Sequence, residues 1–306
     1  MSMIVFKNVL IMLAYMAMGY ALVKAKLASP DHSKTIASLL LYCGVPCMIF
    51  SSFDSIDYSP ETASKLLYFF VVSMAAQLIF YFIAKLILGK KMQMGKYRIL
   101  LLSSFLANTG FFGIPIVNAM FPTEPIVSAY CVVFSTAINI FTFTIGEYMI
   151  TQDKKYSSFK RAICNPTVIP ILITIPMFLL KIKLPTDVAN LALTIKNLTA
   201  PLCMFVLGLR LASMSFKEIF GQPFAYLISG VKLIIYPIFI YAMVDFLPFD
   251  DVFKLTFIIA AGCPCASIIL SLAEIHDVEQ KTSAYALLIS SILCVITLPL
   301  LSLLPI

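Results

Sequence analysis

Ten apolar runs, at roughly 4–23, 36–53, 66–88, 99–121, 126–150, 165–180, 188–212, 223–247, 252–273 and 283–304, occupy nearly all of this 306-residue chain. A helix needs about 20 such residues to cross the hydrocarbon core of a bilayer. Charges and turn residues collect between the runs. The longest interval, Thr151 to Cys164, is too short to bury a core of its own. Only 12% of the residues are charged and 61% are hydrophobic, whereas a soluble domain carries about 25% charge. The chain therefore has too little polar surface to cover a globule in water. A cytosolic enzyme, a secreted disulfide scaffold and a disordered regulator are excluded, and an all-α membrane protein with ten transmembrane helices is expected. The first run reads as a span and not as a signal peptide, because it lacks a basic start and is long enough to cross.

The net charge of +7 is unevenly spread. Lys85, Lys90, Lys91, Lys96 and Arg98 flank the third connection, and Lys154, Lys155, Lys160 and Arg161 fill the fifth. Asp54, Asp57 and Glu61 dominate the second connection, and Asp245, Asp250 and Asp251 the eighth. The positive-inside rule then puts the odd-numbered connections in the cytoplasm and both termini outside, in a multi-pass protein of the plasma membrane. Lys7, Lys181 and Lys183 run against this pattern. The excess charge is a topology signal, so no nucleic-acid partner is expected.

Cysteine usage points to packing. Cys43, Cys47, Cys131, Cys203 and Cys294 sit inside apolar runs, where a free thiol behaves as a small hydrophobe, and no paired zinc-type spacing occurs. Cys263-Pro264-Cys265 resembles the soft-ligand element of copper pumps, but those pumps need large cytosolic domains that this chain lacks. No nucleophile–base set and no phosphate loop is present, so neither an enzyme, a metal site, a cofactor nor ATP-driven transport is expected.

An internal repeat gives the architecture. Ser128-Ala129-Tyr130 recurs as Ser283-Ala284-Tyr285, Ser135 matches Ser290 and Thr142 matches Thr297, all at a shift of 155. Pro46 with the apolar string after it matches Pro201 at the same shift. Five helices is an odd number, so the second copy enters the membrane inverted. The expectation is a 5+5 inverted repeat, with residues 1–150 as the first copy, 151–164 as a short cytoplasmic connection and 165–306 as the second. Inverted repeats belong to transporters with a binding site at mid-bilayer between the copies.

The fourth and ninth runs carry breaks. Asn108-Thr109-Gly110-Phe111-Phe112-Gly113-Ile114-Pro115 interrupts one, and Gly262-Cys263-Pro264-Cys265 the other. Irregular backbone is tolerated in a membrane only against protein or a cavity, and half-helix N-termini attract anions. Gln77 and Lys232, again 155 apart, stand near the middle of the third and eighth runs. A mid-bilayer lysine is expensive, and Lys232 is read either as a ligand for a substrate carboxylate or as a hydrogen-bond donor to a broken-helix carbonyl. Asn139 either lines a pathway or bridges helices. The candidate binding residues are Asn108, Gly110, Pro115, Gly262, Pro264, Lys232, Gln77 and Asn139, while Glu147, Arg210 and Glu274 read as interfacial or gate contacts.

Gly44-Val45-Pro46, Asn108-Thr109-Gly110 through Pro115, Gly146-Glu147-Tyr148, Asn165-Pro166, Pro201 through Gly208, and Gly262 through Glu274 together resemble the auxin efflux carrier family. That family includes plant proteins and shorter bacterial relatives, some assigned to malate or malonate transport. The resemblance implies the fold shared with bile-acid:sodium symporters, in which the fourth and ninth helices cross at their prolines, here Pro115 and Pro264. It also implies an asparagine that binds the substrate carboxylate, at Asn108, and a homodimer formed through scaffold helices. The short fifth connection and Lys232 depart from the plant proteins and favour a smaller or more highly charged anion and a bacterial cell membrane. The expected activity is secondary transport of small organic anions such as carboxylates by alternating access, as efflux or uniport. The alternatives are a symporter coupled to H⁺ or Na⁺, and a membrane sensor or channel.

Overall fold

A computed structural model describes residues 1–156, 163, 165 and 167–305. Half of the expected connection at 151–164, including Lys160 and Arg161, lies outside the described residues. Among the described residues the chain is helical, and its one β-pairing is an isolated bridge. Seven helices are long and apolar enough to cross a membrane. They are α1 (Ser2–Lys24), α2 (His32–Asp54), α3 (Pro60–Leu88), α6 (Ile126–Thr151), α8 (Thr186–Ala212), α9 (Pro223–Val244) and α12 (Gln280–Leu301). Three of the ten apolar runs are not long continuous helices. The sixth gives the short α7 (Ile169–Leu179), the fourth divides into α4 (Gly95–Ser103) and α5 (Thr109–Met120), and the ninth into α10 (Asp251–Gly262) and α11 (Ser267–Ile275).

Local chemistry explains several starts and distortions. The α3 helix begins where Ser59 Oγ accepts from Thr62 N at 3.0 Å with Pro60 in the first turn, and α10 where Asp250 Oδ1 accepts from Phe253 N at 2.8 Å; both are side-chain N-caps. Wide π-type turns occupy Leu40–Gly44 in α2, Thr109–Gly113 in α5 and Val231–Ile235 in α9. Each ends two residues before a proline: Pro46, Pro115 and Pro237. A helical proline lacks its N–H and its ring collides with the carbonyl four residues back. Widening the turn that holds that carbonyl relieves the clash without breaking the helix.

Packing pairs the helices in a repeated pattern. In the first half α3 packs on α6 and on α4; in the second, α9 packs on α12 and on α10. Likewise α1 lies against α8, and α7 against α2. At the α1–α8 crossing Gly19 faces Phe205 and Gly208 faces Met16 and Tyr20. A Cβ on Gly208 would stand 2.8 Å from Tyr20 N and closer still to Met16 O. Only glycine lets the two backbones approach this closely.

The connections separate to two ends. At one end Lys24 Nζ reaches Ala212 O, Tyr97 meets Phe224 and His276 meets Glu147, joining odd-numbered connections. At the other, Lys65 pairs with Asp250 at 2.9 Å. There Lys183 Nζ donates to Asp54 O at 2.8 Å and Ile56 O at 2.7 Å and pairs with Asp57 at 3.0 Å, while Lys181 lies over the Tyr58 ring. Lys181 and Lys183, two of the three lysines that oppose the charge asymmetry, are thus tied to the acidic second connection.

Candidate functional site

The fourth run leaves helical geometry at 104–108 and the ninth at 263–266, and the two gaps meet. Ala107 and Cys265 form an antiparallel bridge, in which Asn108 N donates to Pro264 O at 2.8 Å and Ala266 N to Leu106 O at 3.0 Å. Cys265 N donates to Ser290 Oγ at 3.1 Å. The last carbonyls of α10 are capped one by one: Ile259 O by Cys263 Sγ, Ala260 O by Thr109 Oγ1 and Ala261 O by Lys232 Nζ. Buried backbone groups must be paired, and here each gap supplies partners for the other. This corrects the placement of the fourth-run break. It falls upstream of Gly110, in a segment with neither glycine nor proline, and Pro115 sits inside α5 behind its wide turn.

Helices α5 and α11 both start at this crossing, and neither Asn108 nor Ala266 gives a side-chain cap. The first N–H groups of a helix lack intrahelical partners and carry partial positive charge. Both starts open on one cavity of about 380 Å³, within the range of small-molecule sites. Asn108, Thr109 and Gly110 line it from one side and Ala266 and Ser267 from the other, with Met48, Ser135, Asn139 and Cys203 around them. The cavity runs from the crossing toward the end that holds the odd-numbered connections, past Ser38 and Ile275. No acidic side chain is among its described lining residues, and Arg210 is the one cation.

Two polar groups on this wall are left without ordinary partners. Asn108 Nδ2 is buried with nothing beyond the weak acceptor Cys203 Sγ, and Ser135 Oγ has no hydrogen bond among the described residues. The repeat makes Ser135 informative. Ser290 and Cys265 are the counterparts of Ser135 and Gly110 at the shift of 155, and in the second half the serine hydroxyl takes the Cys265 N–H. In the first half the hydroxyl stands 3.6 Å from where a Gly110 Cβ would be, unbonded and facing the cavity. Any side chain at Gly110 would enter the space between Ser135 and Met48 Cε.

The eight candidate residues divide by location. Asn108, Gly110 and Asn139 line the cavity. Pro264 lies in the crossing and gives its carbonyl to Asn108 N. Gly262 ends α10, where a Cβ would meet Leu298 and Leu301 of α12, so its role there is close packing. Pro115 stands within α5. Lys232 is fully buried, with Nζ on Ala261 O and 4.9 Å from the Tyr236 ring centre, and it does not line the cavity. Gln77 is also fully buried, away from the cavity lining, and neither amide atom has a partner among the described residues. Sequence reasoning passed over Ser135 as a site residue although it belongs to the repeat, and it read Arg210 as an interfacial or gate contact, whereas Arg210 lines the cavity.

A family model described as membrane transport protein matches residues 4–302. The chain is 24% identical over 295 residues to an uncharacterized transporter of Methanocaldococcus jannaschii, covering 92% of this chain and 93% of that one. It is 25% identical over 298 residues to an uncharacterized transporter of Methanothermobacter thermautotrophicus, covering 96% of each.

Proposed function

The chain belongs to the membrane transport protein family, a family of transporters and not of enzymes, and from that membership we propose that it is a secondary carrier of small organic anions, carboxylates first among them. The observation that carries the proposal is the convergence of two uncapped half-helix N-termini, Asn108 and Ser135 on one cavity with no acidic residue among its described lining residues. A carboxylate there would accept from Asn108 Nδ2, Ser135 Oγ and the first N–H groups of α5 and α11, whose dipoles favour negative charge. The apolar body of the substrate would lie against Met48 and its neighbours, with Asn139 further along the path.

In this reading the ten apolar runs are ten spans in a 5+5 inverted repeat, and the paired gaps are the crossover of the fourth and ninth helices. The matched pairings of α3 with α4 and α6, and of α9 with α10 and α12, support it. The repeat lets the two halves exchange conformations and open one site to either face. With the odd-numbered connections in the cytoplasm of a cell membrane, the cavity faces inward. Lys232 acts as the cationic cap of α10, complementing the negative end of that half-helix, and thereby holds the crossover in shape. Transport is uniport in the export direction. An inside-negative potential of 100 mV is worth about 2.3 kcal/mol per charge, roughly 50-fold in favour of export for a monoanion.

Flux of radiolabelled malate, malonate and indole-3-acetate in proteoliposomes, under imposed voltage, pH gradient or sodium gradient, tests the proposal. Saturable flux driven by voltage alone is expected. A strict requirement for H⁺ or Na⁺ would replace uniport with symport, unitary conductance would indicate a channel, and absence of flux for every anion would remove the carboxylate assignment.

A further inference from the structure

Lys196 and Arg210 stand seven residues to either side of Cys203 on α8. Seven residues make nearly two full turns, so the three side chains share one face of the helix. Cys203 and Arg210 line the cavity, and that face is therefore turned toward α5 and α6. Lys196 follows it: the residue is half-buried, and the group within its electrostatic reach is the Cys131 thiol of α6. It has no hydrogen bond, ion pair or ring contact among the described residues. An ammonium inside a span without a partner is expensive.

The repeat indicates what this lysine faces once the halves exchange conformations. Gly44 of α2 and Thr199 of α8 are counterparts at the shift of 155, and a Cβ on Gly44 would stand 3.0 Å from Thr199 Oγ1. Equivalent positions touch only beside the axis that relates the two copies. Three residues before Gly44, toward the end of the odd-numbered connections, Leu41 lines the open cavity. Its counterpart, three residues before Thr199 and toward the opposite end, is Lys196. In the same way Val206 and Leu207 of the open wall have Ser51 and Ser52 as counterparts, and both serines are now buried. The surface that the exchange opens at the outer end is thus polar and carries its own cation.

We propose that Lys196 is the anion-attracting residue of the outward-open cavity, the group that draws a carboxylate between the crossing and the outer face. The proposal rests on the carboxylate carrier argued above and on the exchange of its halves. With the outer half closed, the ammonium is unpaired against α6. Opening that half hydrates it and gives it the substrate as a partner. The inward-open cavity has a leucine at the mirrored position, so the effect of Lys196 belongs to one face of the membrane.

Initial uptake of radiolabelled malate, malonate and indole-3-acetate, measured without voltage in right-side-out and in inside-out membrane vesicles, reads the two faces separately. Lys196→Gln should raise the half-saturating concentration at the outer face about fivefold or more, the scale of one unit charge about 10 Å from a carboxylate, and leave the inner face within about twofold of wild type. Lys196→Arg should stay near wild type at both. Thermal midpoints in detergent show whether each variant is folded. If Lys196→Gln is not, acetylation of wild-type Lys196 by a membrane-impermeant amine reagent, read by peptide mass spectrometry, decides: it should proceed from the outer face and be slowed by the transported acid. A rise at the inner face, alone or equal to the outer one, no rise at either, or acetylation that the acid does not slow would overturn the proposal. No rise at either face would leave a lysine that snorkels to the outer interface. If Asn108→Ala still weakens uptake at both faces, the carboxylate site stands without Lys196. If none of the three acids is taken up saturably, both proposals fall together.

Discussion

Replacing Asn108 with alanine should move stability and binding in opposite directions. Asn108 is 5% exposed and its Nδ2 has no ordinary acceptor in the unloaded protein. A buried donor left unsatisfied costs about 1–3 kcal/mol, so removing it leaves the unloaded protein as stable as before or up to about 2 kcal/mol more stable. The backbone bond from Asn108 N to Pro264 O does not involve the side chain, and the crossing stays intact. In the loaded state the same amide donates to a carboxylate, an interaction worth about 1.5–3 kcal/mol, or about 10- to 150-fold in affinity. The assay is thermal unfolding in detergent, with and without the tightest-binding of malate, malonate, succinate and indole-3-acetate. At a concentration of 100 times the wild-type Kd, ligand stabilises wild type by about 2.7 kcal/mol. A 10- to 100-fold weaker variant gains about 1.4 to 0.4 kcal/mol. An unloaded variant more than about 1 kcal/mol less stable than wild type would mean that the amide is structural, and a full ligand shift in the variant would remove Asn108 from the site.

Other perturbations test the frame around the site. Gly208→Ala should destabilise by about 1–3 kcal/mol, because its Cβ runs into the α1 backbone; Gly230→Ala, with open space around it, is the matched control in the same unfolding assay. Ser290→Ala removes the acceptor of Cys265 N and should lower stability by about 1–3 kcal/mol, read from thermal midpoints in detergent. Lys232→Met uncovers Ala261 O and should also lower the unfolding midpoint, while carboxylate affinity, measured on the folded fraction, stays within about threefold of wild type. Asp250→Ala removes a helix cap and should cost about 1 kcal/mol at neutral pH. Burial alone would raise the Asp250 carboxyl pKa, but hydrogen bonds from Lys65 and the Phe253 N–H hold it below its ordinary value. A depressed carboxyl stabilises fully above the unfolded pKa of about 3.9 and loses that contribution as pH falls toward the folded one. The difference between wild type and Asp250→Ala should therefore close below about pH 4.

Hydropathy marked the spans because lipid demands long apolar helices, and seven of the ten runs are continuous helices of that kind. Glycine and proline marked two of the remaining three, the fourth and ninth runs, as interrupted. The register of the fourth-run break was not legible. Ser104 through Asn108 carry no breaker, and they leave the helix because Pro264, Cys265 and Ala266 offer backbone partners from the other half of the chain. Pro115 misled for the converse reason, because a widened turn accommodates it inside α5. Asn108, Gly110 and Asn139 could be picked from residue type and position, and they line the cavity. Lys232 was conspicuous as a charge in an apolar run, yet its direction depends on where α10 ends. Ser135 was visible only as half of a repeat, and its exposure to the cavity emerges from comparison with Ser290 in three dimensions.

The central claim, that the paired half-helix starts beside Asn108 bind and move a carboxylate, is tested most directly by charge movement. Proteoliposomes adsorbed on a sensor membrane would be exposed to steps of succinate, malonate and indole-3-acetate. A saturable transient of the sign of an anion entering, without any pH or sodium gradient and shifted to about 10-fold or higher concentration in Asn108→Ala, is the expected result. No transient with any of the three, or one that Asn108→Ala leaves unchanged, would contradict the account.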